Sequence, residues 1–521
     1  MTGPASAASA QTKVAGAERD RRLRHIAIVG GGTAGWIAGA MLARALHDYG
    51  CTITVIESPE IGTVGVGEAT IPPFLDLLRF LDINEADFVL RTEATYKLGI
   101  KFTDWRELGS SYWHPFGVFG AGINRRPFFH AWHKAKAEGL NPQFNDFSLC
   151  ATLADRGLFK FPTPNAQGAS SGLRYALHFD AALVARYLRA YCERLGVQRL
   201  ERTVTAATRG PNGDLDELVF NDQTRLKADL YIDCSGFRGL LIEQALQTGY
   251  LDWSDMLPCD RAVAVQTRTT APRPPFTEAF ARSAGWRWRI PLQHRAGNGY
   301  VYASAHISDD EALADLLAQV GEPPLTDPRL LRFVTGRRKR FWNRNCIALG
   351  LASGFLEPLE STSIHLVISG MYALLEHFPD LDFDPVNIDS YNEEVIHEFE
   401  RVRDFIILHY CTTRRTDSPL WAQCGAMTLP DSLADRMDIY RRTGRIRERA
   451  GELFTAPSWF YVYEGMGVEP ERYDPLMDVV KPGQLRDILQ ALAKETALGA
   501  RDAPSHDSYF TKSPKPLTSN G

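Results

Sequence analysis

His25-Ile26-Ala27-Ile28-Val29-Gly30-Gly31-Gly32-Thr33-Ala34-Gly35-Trp36 carries the chain from an apolar run through three glycines into a stretch of small residues. The first five residues read as a buried parallel strand, and Ala34 to His47 as the helix that follows the turn. In the spacing Gly30-x-Gly32-x-x-Gly35 the first glycine makes the tight turn. The second lets backbone approach a pyrophosphate, and the third lets helix pack on strand. Thr33 and Ala34 open that helix, whose free N–H groups and positive dipole end suit phosphates. Thr52-Ile53-Thr54-Val55-Ile56-Glu57 reads as the next strand, ending about 25 residues on in an acid placed for a ribose 2′-hydroxyl. Within this strand–turn–helix–strand–acid frame, the stretch predicts a dinucleotide site rather than a plain glycine turn.

Outward from that frame, further strands are expected at Leu226–Asp233, Gly299–Ser304 and Asn345–Leu349. A helix is expected over Asp180–Leu195, with Asp180 placed to cap it. From about Asp389 the texture becomes helical, over Tyr391–His409, Leu433–Phe454 and Pro482–Leu498. This pattern predicts an α/β fold: a Rossmann-like nucleotide-binding core with an inserted antiparallel sheet, plus a helical C-terminal cap. The boundaries read as a disordered leader over 1–23, a core over 24–388, a helical substrate-side subdomain over 389–500 and a flexible tail over 501–521. The joint between core and cap is a natural pocket.

The bulk numbers exclude several classes. With 521 residues, 44% hydrophobic and 23% charged, the chain is long enough for two or more substructures of ordinary globular composition. A net charge of −5 and a pI of about 6.3 supply no field for nucleic acid or anionic membrane. Ile26–Ala43 is uncharged and near the length of a membrane span, yet its three glycines and small residues fit a strand, turn and helix better. The N-terminal leader lacks an apolar segment followed by a cleavage site. Eight scattered cysteines form no C-x-x-C pair and no zinc spacing. The expectation is a cytoplasmic protein with free thiols and no metal.

Other motifs refine the nucleotide. Asp229-Leu230-Tyr231-Ile232-Asp233-Cys234-Ser235-Gly236 is similar to the second motif of FAD enzymes. Cys346-Ile347-Ala348-Leu349-Gly350, followed by Leu356 and Pro358, is similar to their third. A second GxGxxG for a nicotinamide cofactor is missing, so FAD is expected to arrive reduced from a separate NAD(P)H-dependent flavin reductase. Gly65-Val66-Gly67-Glu68-Ala69-Thr70-Ile71-Pro72 is a second glycine-rich turn before a helix, and Gly67 and Ala69 suit close backbone packing on an isoalloxazine.

Glu357-Pro358-Leu359-Glu360-Ser361-Thr362-Ser363 precedes an apolar helix, with Ser361 or Thr362 as the expected N-cap. The unpaired N–H groups of Thr362 and Ser363 suit a halide anion. Glu360 is placed either to take a proton from an arene or merely to offset the helix dipole. In Tyr96-Lys97-Leu98-Gly99-Ile100-Lys101-Phe102, strand alternation puts Lys97 and Lys101 on one face. A lysine in an apolar pocket loses basicity and becomes a nucleophile. Trp286-Arg287-Trp288-Arg289-Ile290-Pro291 puts two indoles on one strand face, and the proline limits further pairing.

In this order the motifs resemble those of the flavin-dependent tryptophan halogenase family, over about residues 26–467. The resemblance implies that reduced FAD, O2 and halide give hypohalous acid, which travels through an internal tunnel. It implies that Lys97 delivers the halogen, and that Glu360 positions the oxidant and stabilises or deprotonates the arenium. It further implies that Thr362 and Ser363 bind halide, that His114, Phe116 and Phe454 pack on the indole, and that Trp286 and Trp288 shield the flavin.

Three departures matter. Ser363 replaces a glycine, which is harmless only if that position needs no positive φ. The paired tyrosines and downstream glutamate that grip an amino-acid zwitterion are also not evident. Glu452, in Arg449-Ala450-Gly451-Glu452-Leu453-Phe454, is a partial substitute, and Phe454 stands where a tryptophan is usual. The expected substrate is therefore indole or an indole-like arene. A tryptophan halogenase proper, a two-component flavin hydroxylase and a non-catalytic flavin-binding protein stay open as alternatives, as does a homodimer.

Overall fold

The computed structural model describes residues 20–59, 67–166 and 168–510. Most of the expected leader, together with Gly65 and Val66, lies outside these residues. A six-stranded sheet runs in the order Trp342–Asn343, Cys346–Ala348, Leu230–Asp233, His25–Val29, Thr52–Glu57, Gln198–Glu201. Its pairs are parallel except at the Trp342 edge. Ile28 faces both Val55 and Ile232 in register, and this centre is fully buried, as a strand with two covered faces requires. The helix Thr33–Ala45 covers it. A Cβ on Gly35 would overlap the Gly30 carbonyl oxygen, and Gly30 itself has φ 125°. Both glycines are therefore required by the turn.

The inserted sheet has seven strands, in the order Arg329–Arg332, Arg261–Arg268, Arg295–Tyr302, Gly285–Pro291, Thr277–Arg282, Gly99–Thr103, Ser111–Pro115. Its pairs are antiparallel except between Thr277–Arg282 and Gly99–Thr103. Pro291 still pairs with Ala296, and the hairpin turns directly after it. A three-stranded sheet joins Gly67–Ala69, Ala176–Asp180 and Thr95–Lys97. Asp180 caps the helix Ala181–Arg194 as expected, accepting from the Ala182 and Leu183 amides.

Several local expectations need correction. Lys97 and Lys101 do not share a face, because the chain leaves the small sheet at Leu98 and enters the seven-stranded one at Gly99. Lys101 instead lies over the Trp113 ring, 5.3 Å from its centroid. The expected strand Leu226–Asp233 is two strands, Arg225–Lys227 and Leu230–Asp233, in different sheets. The break falls at Asp229, whose carboxylate accepts from the Arg24 and His25 amides. The helix expected to reach Phe454 ends at Thr443, where Gly444 takes the left-handed C-cap at φ 66°.

The long helix Pro385–Cys411 packs on the helices Ser363–Glu376, Pro419–Gly425 and Asp431–Thr443, and near its end His409 stacks on Phe102 of the inserted sheet. Beyond the helix Pro482–Arg501, the chain is not loose up to Phe510. Leu158 bridges to Ser505, Arg273 pairs with Asp507 at 2.6 Å, and Phe510 stacks on Tyr96 at 5.7 Å. Tyr96 is the neighbour of Lys97, so residues 502–510 back the strand that carries that lysine. Deleting residues 504–521 is expected to destabilise the fold by roughly 2–4 kcal/mol, the scale of losing buried aromatic packing. Thermal unfolding of the truncated chain checks this.

Candidate active site

Lys97 ends its short strand fully buried, at 0% exposure. Its ammonium donates to the Thr70 carbonyl at 2.9 Å and the Ser361 hydroxyl at 2.8 Å, and lies 5.2 Å from the Phe116 ring centroid. Burial pulls its pKa down to about 7, against the opposing pull of the Glu360 charge. Ser361 reaches it by adopting a left-handed backbone, φ 58° and ψ 36°, after the 3₁₀ turn Pro358–Glu360. Such a conformation in a residue other than glycine carries strain that the surrounding structure must hold.

Of the two expected N-cap residues, Thr362 takes the position. Ser361 spends its hydroxyl on Lys97, and Thr362, at φ −92°, makes no side-chain cap. Ser363 is the first residue of the helix Ser363–Glu376, so the positive φ sits at Ser361 and the serine-for-glycine change is sterically harmless. The first N–H groups of this helix have no intrahelical partners. The Thr362 hydroxyl is buried and unpartnered.

Glu360 is also buried, and two histidines flank it. His114 Nδ1 is hydrogen-bonded to its Oε2 at 2.7 Å. His409 Nε2 lies 2.8 Å from Oε1, close enough for an ion pair but off the hydrogen-bond line. Burial alone would raise the carboxyl, yet the pull of His114 and His409 outweighs it and holds Glu360 down to about 2. His409 in turn is bonded through Nδ1 to the Tyr112 hydroxyl at 2.7 Å and stacks on Phe102 at 4.7 Å. Sequence reasoning missed His409 and Tyr112. His409 lies on a helix that reads as plain cap, far from every motif.

Phe454 lies 6.0 Å from His114 and stacks on Phe405 at 3.8 Å. Glu452 does not stand free beside it. Its carboxylate is paired with Arg436, and Arg401 is 3.8 Å away.

Next to this cluster lies a cavity of about 900 Å³, of a size to hold a dinucleotide. Every residue assigned to the cofactor lines it except Gly35, which sits beneath the turn. Gly32 faces open space, as a pyrophosphate cradle requires, and the helix Thr33–Ala45 points its N-terminus there. The donor set therefore fits FAD. Glu57 pairs with Arg199, and Arg186, Arg189 and Arg202 also line that end, a basic cluster the sequence reading did not single out. Trp288 lines the cavity, whereas Trp286 stands behind it at 6.1 Å and donates to Glu357. Ser361 belongs to both places, lining the cavity and accepting from Lys97. Among the described residues there is no metal-binding cluster, and no helix is long and apolar enough to cross a membrane.

The tryptophan halogenase family model matches residues 25–482. The chain is 35% identical over 493 residues to the tryptophan 7-halogenase RebH of Lentzea aerocolonigenes, covering 87% of this chain and 91% of that protein. It is 37% identical over 441 residues to the 7-chloro-L-tryptophan 6-halogenase KtzR of Kutzneria sp. (strain 744), covering 80% and 84%. In structure it is similar to Xcc4156, a flavin-dependent halogenase from Xanthomonas campestris, with TM-score 0.91, 44% identity and coverage of 94% and 98%. BrvH, a flavin-dependent halogenase from Brevundimonas sp. BAL3, gives TM-score 0.91, 42% identity and coverage of 94% and 99%.

The chain belongs to the tryptophan halogenase family. It is a flavin-dependent halogenase that uses FADH2 supplied by a separate flavin reductase.

A buried ammonium held for chemistry should cost stability. Lys97→Met is expected to stabilise the fold by about 1–4 kcal/mol. Because the folded-state pKa is lowered, the gain is full below pH about 7 and shrinks as pH rises toward the unfolded lysine value. Chemical denaturation at two pH values checks both.

Proposed function

We propose that this halogenase chlorinates or brominates indole or a small indole-like arene, with Lys97 delivering the halogen and Glu360 stabilising the cationic arene. Bound FADH2, with O2 and halide, supplies the hypohalous acid. The observation that supports the reading most is the buried pair of Lys97 and Glu360 joined to the cofactor cavity through Ser361.

With a pKa near 7, the Lys97 amine is substantially neutral at physiological pH and able to take the halogen from hypohalous acid, releasing water. Glu360, held to about 2 by its histidines, is a weak base. It is better suited to stabilise the arenium cation than to retain its proton. The Thr362 and Ser363 amides would hold halide, and His114, Phe116 and Phe454 would pack on the arene. Trp288, backed by Trp286, would separate arene from flavin, which argues against direct hydroxylation.

Free tryptophan is the second reading, favoured by the relatives' names. An ammonium group needs a free carboxylate, and Glu452, two residues before Phe454, is already claimed by Arg436. That engagement favours indole. The all-thiol state of the eight cysteines fits a reducing cytoplasm.

Mass spectrometry of a coupled assay with FAD, NADH, a flavin reductase, bromide and both acceptors in competition should show brominated indole in excess over brominated tryptophan. Product mainly on tryptophan would overturn the substrate assignment. Lys97→Ala should give no halogenated product while flavin oxidation continues, and Glu360→Gln should lower kcat about 100-fold. The wild-type halogenation rate should rise with pH through about 7 and then level, as the amine loses its proton.

A further inference from the structure

Glu357 opens the motif that carries Glu360, yet it touches neither Lys97 nor the cavity. It is wholly buried, one residue before the turn Pro358–Glu360. Its Oε2 accepts the Trp286 indole N–H at 2.8 Å and the Tyr410 hydroxyl at 2.6 Å. Its Oε1, equally buried, has no partner. Tyr410 is fixed in turn by the long helix, by Trp421 stacked at 5.7 Å and by Trp105 set edge-on at 5.3 Å. Trp105 closes the circle at 6.2 Å from Trp286. One carboxylate oxygen therefore ties together three separate pieces: the tryptophan strand, the turn bearing Glu360 and Ser361, and the cap helix.

We propose that Glu357 is a positioning residue that sets the tryptophan wall against the Pro358–Ser363 turn, and so governs how the electrons that FADH2 gives to O2 divide between hypohalous acid used at Lys97 and hydrogen peroxide. The inference rests on the halogenase reading above. Leu356 and Pro358, on either side of Glu357, both line the cavity, and Trp288 lines it from the opposite strand. The cavity boundary on this side is thus built from two elements whose only polar tie, among the described residues, is the Glu357–Trp286 hydrogen bond. Two donors converging on a desolvated acceptor fix direction as well as distance, whereas apolar packing alone lets the strand slide. Losing the acceptor would leave an indole N–H and a phenol buried without a partner, a strong drive to rearrange the wall.

The test compares Glu357→Leu, Glu357→Gln and Tyr410→Phe with wild type in the coupled indole assay, measuring halogenated product and hydrogen peroxide together. Glu357→Leu should lower the product-to-peroxide ratio about tenfold. Glu357→Gln keeps an acceptor oxygen and should restore the ratio to within about twofold, with Tyr410→Phe between them. In cofactor-free protein, NMR of indole N–H groups should show the Trp286 proton protected from exchange in wild type and Glu357→Gln, and exchanging in Glu357→Leu. Trp286→Phe assigns the signal. Should Glu357→Leu fail to fold, Tyr410→Phe still reads the tie. An unchanged ratio in a folded Glu357→Leu or Tyr410→Phe, with wild type halogenating normally, would overturn this inference alone. A wild type that makes no halogenated arene would overturn the underlying reading and the inference with it.

Discussion

The hydrogen bond from the Lys97 ammonium to the Ser361 hydroxyl is the contact on which the remaining architecture converges. A buried amine is tolerated only where acceptors meet it, and here one acceptor is a carbonyl and the other a hydroxyl, neither charged. Burial lowers the amine's basicity, and neither acceptor brings a charge to restore it. Ser361 supplies its hydroxyl because the chain accepts a left-handed backbone there, directly after the turn Pro358–Glu360. The same bend starts the helix Ser363–Glu376 and aims its first amides at the neighbouring space. One strained residue thus serves the amine, the helix start and the cavity wall together.

Glu357 and Glu360 sit at the two ends of one turn, and burial acts on them in the same direction. Their neighbours separate them. Two histidines hold Glu360 down to about 2, while Glu357, facing only an indole and a phenol, is pushed up to about 7. Carboxyls with divergent environments divide roles in this way: one stays an anion where a cation will form, and the other anchors structure. The motif that reads as a single unit in the sequence is physically two sites.

The glycine frame was legible because its spacing is dictated by backbone sterics, which depend on few residues. The Asp180 cap was legible for the same reason. Lys97 and Glu360 could be named but not placed: the switch of sheets at Leu98 is a tertiary event that strand alternation cannot register. His409 was invisible, since a histidine in a long amphipathic helix has no local signal and gains meaning only when Glu360 arrives from a distant turn. Glu452 misled for the matching reason, its partner Arg436 being in a neighbouring helix with no shared motif. The docking of residues 502–510 was missed because a short polar segment carrying His506, Tyr509 and Phe510 shows no periodicity, although its aromatic residues find a ready-made cluster around Tyr96.

That docked segment has a consequence for how the protein comes into being. Tyr96 and Lys97 leave the ribosome several hundred residues ahead of the piece that packs behind them. Until it arrives, the Tyr96 side of the strand lacks the cover that Tyr509 and Phe510 give it. The packing behind that strand is therefore finished only when the chain has been made as far as Phe510.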